Sequence, residues 1–221
     1  MIFPNFKNKA FGYLNLNLEV REWYKQKNIN FSTEKNILID PKQCQDFVND
    51  IHKKYSLDFS YGGWMEDRTD LWKDSYLENE KIFIHFGVDI NVPTGTEIAT
   101  DFKSEVIKVD SDYPLDGGWG SFVILKHLSK PVYIIYAHLD ENILCKVGDK
   151  LDKGTIFAKV GHAPQNGNWF PHVHVQIIEE NYYLNLEKNN DWEKFDGYGL
   201  KGDIEINAKR HPDPMQFISL I

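Results

Sequence analysis

Two short stretches, far apart in the chain, carry residue types that bind metal ions. The first is Ile84-His85-Phe86-Gly87-Val88-Asp89, in which an imidazole and a carboxylate stand four residues apart. The second is Pro171-His172-Val173-His174-Val175, and a lone His138 lies between the two in Tyr136-Ala137-His138-Leu139. Imidazole nitrogen and carboxylate oxygen are ligand types that suit zinc. A catalytic zinc takes about three protein ligands and keeps an open position for water. In a strand, residues two apart point the same way, and so do residues four apart. His85 and Asp89 therefore share a face if the strand runs on through Gly87, and His172 and His174 share one by the same rule. A His-x-x-x-Asp spacing alone arises by chance, and two histidines on an edge strand can simply face solvent. The combination, with His138 on an intervening strand, predicts that these five residues meet around one zinc ion. His52, His127, His162 and His211 fall outside the set. Of these, His52 reads as a helix-surface residue and His162 as a loop residue near the mouth of the site.

The elements that must position these residues are legible to different degrees. From residue 82 to 178 the chain is a series of short apolar strands, at 82–84, 88–92, 106–109, 122–125, 132–136, 156–160 and 173–178. Turn residues such as Pro93-Thr94-Gly95 and Ser129-Lys130-Pro131 separate them, a loop spans 112–120, and the spacing argues for an all-β sandwich or barrel. Before this region, Asp40-Pro41 has the residue types of a helix N-cap and first turn. Cys44, Phe47, Val48, Ile51 and Tyr55 then recur at helical spacing. Leu14, Leu16, Leu18 and Val20 alternate with polar residues, which predicts a half-buried strand, and residues 22–27 read as a helical turn. Trp64, Leu71, Trp72, Tyr76 and Leu77 require burial, so residues 65–76 read as an ordered segment in front of the site. Asp213-Pro214 is expected to cap a short closing helix.

Bulk properties exclude some classes. With 221 residues and a net charge of −8, the chain has no basic excess to neutralise phosphates, so no nucleic-acid partner is expected. No apolar stretch is long enough for a membrane span. The N-terminus lacks the apolar core of a secretory signal, which makes the default location cytoplasmic. Cys44 and Cys145 read as free thiols.

His85-Phe86-Gly87-Val88-Asp89, then Tyr136-Ala137-His138-Leu139, then the run from Asn166 to Gln176 resemble, in order, the motifs of the lysostaphin and LytM family of zinc metallo-endopeptidases. The resemblance covers residues 82–178, and the stretch from Tyr61 to Trp72 is similar to an N-terminal region of a signal-less subgroup of that family. It implies a duplicated hybrid motif, a mainly β sandwich or barrel of short antiparallel strands, here with an N-terminal α+β extension. The expected division is an extension over 1–80, a metallopeptidase-like β domain over 81–180 and a C-terminal extension over 181–221. The resemblance makes His85, Asp89 and His174 the zinc ligands, with His138 and His172 as the catalytic pair. Which of that pair is the general base stays open. The implied substrate is a peptide, in peptidoglycan cross-links or a related molecule. Ala137 stands where the family usually has glycine.

Two other classes compete with this reading. A phosphocarrier domain of the same fold also uses two histidines, but without a His-x-His pair. A non-catalytic module that keeps zinc as a staple, or binds wall polymer without cutting, would close the site with a fourth protein ligand, for which His138 is the candidate. Arg68 is read as a structural ion-pair residue or as a contact for a substrate carboxylate. Trp119 and Trp169 are read as walls of a groove or as cover for the core.

Overall fold

Alternation along the strands decides which side chains enter the core and which face the site. The computed structural model describes residues 1–112, 117–192 and 195–221. Strand β1 (Phe11–Tyr13), helices α1 (Leu16–Gln26) and α2 (Pro41–Tyr55), and strands β2 (Phe59–Gly62) and β3 (Glu66–Asp67) come first. A one-turn helix α3 (Tyr76–Glu80) leads to β4 (Ile84–His85), β5 (Val88–Asn91), β6 (Glu97–Ala99) and β7 (Ser104–Asp112). Next are β8 (Gly120–His127), β9 (Val132–Leu139), β10 (Lys150–Leu151), β11 (Ile156–Lys159) and β12 (Val173–Glu179). Helix α4 (Glu180–Asn189), strand β13 (Tyr198–Gly199) and helix α5 (Ile204–Arg210) complete the series.

Eight strands form one sheet in the order β1-β2-β5-β12-β9-β8-β7-β10, while β6 with β11, and β3 and β13 on either side of β4, make two small sheets. The architecture is mainly β, and no barrel closes among the described residues. Val123, Leu125, Ile134, Tyr136, Val173, Val175 and Ile177 point to one side, where they pack with Ile98, Phe157 and Ala158 of the β6–β11 pair. Their neighbours Phe122, Ile124, Tyr133, Ile135 and Ile178 point to the other side and meet Tyr183 and Leu186 of α4. A sheet covered on both faces needs apolar residues at every position, which is why β8 and β9 read as continuous apolar runs.

Helix α2 forms as its sequence dictates. Asp40 caps it by accepting from the Gln43 amide at 2.9 Å, and Cys44, Phe47, Val48 and Ile51 are buried. Helix α1 corrects the expectation of a strand at residues 14–20. Asn15 caps the helix, and burial falls on Leu16, Val20, Trp23 and Tyr24, a helical spacing that packs against α2, while Leu18 is exposed. The expected loop at 112–120 begins later, since β7 continues to Asp112; residues 113–116 lie outside the described residues. Asp213 accepts from the Met215 amide at 2.9 Å and caps a single 3-10 turn, Pro214–Gln216. Cys44 and Cys145 are free thiols.

Both ends of the chain enter the large core. Ile2, Phe3, Phe59, Ile218 and Leu220 are buried in it, and β2 pairs with β5 so that Gly62 lies opposite Asp89.

Candidate metal centre

Sheet register brings most of the predicted residues together. On β12, His174 stands opposite Asp89 of β5 on one side and Ala137 of β9 on the other. Because Val173 and Val175 enter the core, His172, His174 and Gln176 take the opposite face, and Asp89 does the same between Val88 and Ile90. His85 arrives by another route. The expected continuous strand breaks at Phe86-Gly87, and β4 and β5 belong to different sheets. Gly87 allows the break: a Cβ there would lie 2.6 Å from His174 Nε2 and 2.7 Å from the Val175 carbonyl oxygen.

The resulting distances are short. His174 Nδ1 lies 3.0 Å from Asp89 Oδ1 and 3.0 Å from His85 Nε2, and His85 Nε2 lies 3.4 Å from Asp89 Oδ1. Donor atoms of these three buried residues all fall within 4.8 Å of one another. The remaining nitrogens locate the protons. His85 Nδ1 donates to the Gly63 carbonyl at 3.0 Å, and His174 Nε2 donates to Gln176 Oε1 at 3.0 Å. Each neutral ring thereby turns a lone pair towards the Asp89 carboxylate. Three electron-rich atoms in contact, with no proton of their own between them, fit a cation.

His138 and His172 lie beside this trio. Their rings are 4.5 Å apart, and His172 Nε2 is 3.6 Å from Asp89 Oδ1. His138 Nδ1 donates to the Asn166 carbonyl at 2.9 Å and His172 Nδ1 to that of Phe170 at 2.8 Å. His138 has φ +64, a left-handed conformation that costs a non-glycine residue energy and that recurs at functional sites. The two rings and the trio line a cavity of about 200 Å³ walled by Trp72, Tyr76, Trp119, Trp169 and Tyr198. Trp169 both walls the cavity and packs on Trp72 in the second core. His52 is apart from the site, half-buried and 2.7 Å from Ser60 Oγ, and His162 is exposed on a loop.

Burial dominates the electrostatics. It pushes the His85 imidazole down to about 3, helped by the Arg68 charge and opposed by Asp89. It also lowers His138, with His172 and His174 adding to the effect, and lowers His172 against the pull of Asp89. For Asp89 burial would raise the carboxyl, but His85, Arg68 and His172 hold it well below the usual carboxylate range. Arg68 is almost fully buried and donates from Nη1 to Asp89 Oδ2 at 2.5 Å. It is an ion-pair residue, and its partner is a residue of the trio.

A family model, Peptidase family M23, matches residues 83–186. A mutant catalytic domain of the prophage-encoded M23 protein EnpA from Enterococcus faecalis is 30% identical over 43% of this chain and 68% of that chain, with a TM-score of 0.38. The chain belongs to peptidase family M23. LytU is 27% identical over 45% of this chain and 67% of its own, with a TM-score of 0.38. The solution structure of lysostaphin is 24% identical, with a TM-score of 0.37, over 43% of this chain, which spans 37% of that protein. No curated protein matches. Among the described residues no helix is long and apolar enough to cross a membrane.

The M23 match ends short of several residues that touch the trio or its neighbour Gln176. Gly63 and Arg68 precede it, and His211, whose Nδ1 is 3.1 Å from Gln176 Nε2, follows it. Gln176 was open to discovery by the rule that placed His172 and His174, since it is the next residue on the same strand face. Arg68 and His211 had no such periodic signal.

Proposed function

We propose that the chain is a zinc-dependent endopeptidase of the lysostaphin type, acting on peptide bonds in peptidoglycan cross-links or in a related peptide. The observation that carries this reading is the meeting of His85 Nε2, Asp89 Oδ1 and His174 Nδ1 beside an aromatic cleft. These three atoms would hold the ion, and two imidazoles with one carboxylate are a donor set that zinc accepts. When bound, zinc supplies Lewis acidity, which acidifies water and polarises a peptide carbonyl.

The chain's own residues handle the proton. Hydrolysis adds hydroxide to the carbonyl carbon, breaks the C–N bond and delivers a proton to the departing nitrogen. His138 and His172 each have Nδ1–H tied to a backbone carbonyl, so each presents the lone pair of Nε2. One ring accepts the proton of the attacking water, a contribution of about 10²–10⁴-fold. That ring, protonated at Nε2 by this step, then delivers the proton to the departing nitrogen, while the lone pair of the second ring accepts a hydrogen bond that orients the attacking water.

The reading of His138 as a fourth ligand of a closed structural site has less support. Among the described residues, the donor atoms that lie within 4.8 Å of one another belong to His85, Asp89 and His174. The test is zinc content together with hydrolysis of a panel of purified cross-link peptides, for the unaltered chain, His85→Ala and His172→Ala. A single zinc per chain, lost in His85→Ala and kept in His172→Ala, with cleavage lost in both, is the expected result. Zinc without cleavage of any peptide would sink the peptidase reading, and no zinc in the unaltered chain would sink the site.

A further inference from the structure

The segment before the M23 match makes two contacts to the trio. The Gly63 carbonyl fixes the His85 ring, and the Arg68 guanidinium holds the Asp89 oxygen that faces away from His85 and His174. Arg68 is itself fixed. It follows β3, whose Glu66 and Asp67 pair with His85 and Ile84, and its amide donates to the Phe83 carbonyl at 2.9 Å. Gly63, at φ +112, leaves room where a Cβ would overlap the Arg68 guanidinium. A second carboxylate, Glu66, is nearby, but Arg68 Nε is 3.9 Å from its Oε2, and Tyr13 donates to its Oε1. The short ion pair of the guanidinium is thus with Asp89, and Tyr198 is a further hydrogen-bond neighbour.

A loop-holding ion pair would not need this arrangement. A buried ion pair adds little stability over apolar residues of equal volume, because desolvation offsets the attraction. Apolar residues, however, cannot keep a buried carboxylate charged and oriented. We propose that Arg68 is the positioning residue for Asp89: it occupies Oδ2, leaves Oδ1 as the single oxygen turned to the ion, and makes the N-terminal extension a part of the metal site. This rests on the reading of His85, Asp89 and His174 as metal ligands.

The test is cobalt(II) titration of the full chain, followed by visible absorption, for the unaltered protein, Arg68→Met, Arg68→Lys and His85→Ala. Circular dichroism of the metal-free forms establishes folding. Loss of an outer-shell partner typically weakens metal affinity 10–100-fold. That loss is expected in Arg68→Met, with a changed ligand-field spectrum, and partial recovery is expected in Arg68→Lys. A folded Arg68→Met with unaltered affinity and spectrum would overturn the proposal. A second measurement needs no variant. The infrared difference between cobalt-loaded and metal-free protein carrying isotope-labelled aspartate should show the wide stretch splitting of a one-oxygen carboxylate ligand, and the narrow splitting of a two-oxygen ligand would also overturn it. Failure of the underlying site looks different: the unaltered chain would bind no cobalt, or His85→Ala would bind it equally well.

Discussion

His85 Nε2 and His174 Nδ1 face each other across 3.0 Å, and each ring has its proton on the opposite nitrogen, directed to Gly63 and Gln176 respectively. Two lone pairs and the Asp89 carboxylate therefore repel one another in the metal-free protein. A divalent ion turns that repulsion into attraction, so metal binding and fold stability are coupled. At free zinc one hundred times the dissociation constant, stabilisation of about 2.7 kcal/mol is expected. Thermal melts with zinc and with a chelator should differ accordingly, and His85→Ala should remove the difference. Equal melting temperatures for the unaltered chain would contradict the coupling.

The glycine that admits Arg68 is equally specific. At Gly63 the backbone sits at φ +112, and a Cβ would lie 2.6 Å from His85 Nδ1 as well as overlapping Arg68. Gly63→Ala should destabilise the protein by about 1–3 kcal/mol from backbone conformation alone, with more from the displaced side chains. Urea denaturation measures this. A loss under about 0.5 kcal/mol, the level of an ordinary surface substitution, would count against the packing described.

Much of this was legible in the sequence, and the exceptions have physical causes. The strands at β8, β9 and β12 could be read because both sheet faces are buried, and α2 because Asp40-Pro41 and the Cys44–Phe47–Ile51 stripe agree. Helix α1 was misread because leucine alternates with asparagine from Leu14 to Leu18, although Leu18 ends up 75% exposed and so never enters the pattern. Helix α4 was missed, since its buried residues, Tyr183 and Leu186, form too narrow a stripe. At the site, the shared face of His172 and His174 followed from two-residue strand spacing, whereas His85 and Asp89 sit on strands of different sheets and His138 was legible only as part of the combined motifs. The partners that hold them were not legible. Arg68 and Asp89 are 21 residues apart in different sheets or loops, a pairing set by tertiary packing with no local periodicity.

Acid should destabilise the metal-free protein, and His211 offers a measurable share. Burial lowers its imidazole from 6.5 to about 4, while the Ile177 carbonyl opposes the shift. The unfolded chain therefore binds this proton first. Stability is complete above about pH 6.5, falls as pH drops towards 4, and levels off below. The two values correspond to about 3 kcal/mol for this residue alone. His211→Gln should flatten the dependence over that window, as measured by urea denaturation at several pH values in chelator. An unchanged slope would show that His211 protonates equally in both states.

The final prediction concerns how much of the chain the β core needs. We propose that residues 81–180 do not fold alone, although they contain the whole trio and most of the M23 match. Removing the flanks strips β2 from the edge of β5 and takes Ile2, Phe3, Phe59, Ile218 and Leu220 out of the core. Fully buried side chains of this kind contribute roughly 1.5–3 kcal/mol each, on the order of 10 kcal/mol together. That equals the whole stability of a typical domain. The fragment should give no cooperative urea transition and no near-ultraviolet dichroism, whereas the full chain gives both. A cooperative transition in the fragment would mean that the flanks are accessory, and that β5 can stand as an edge without β2.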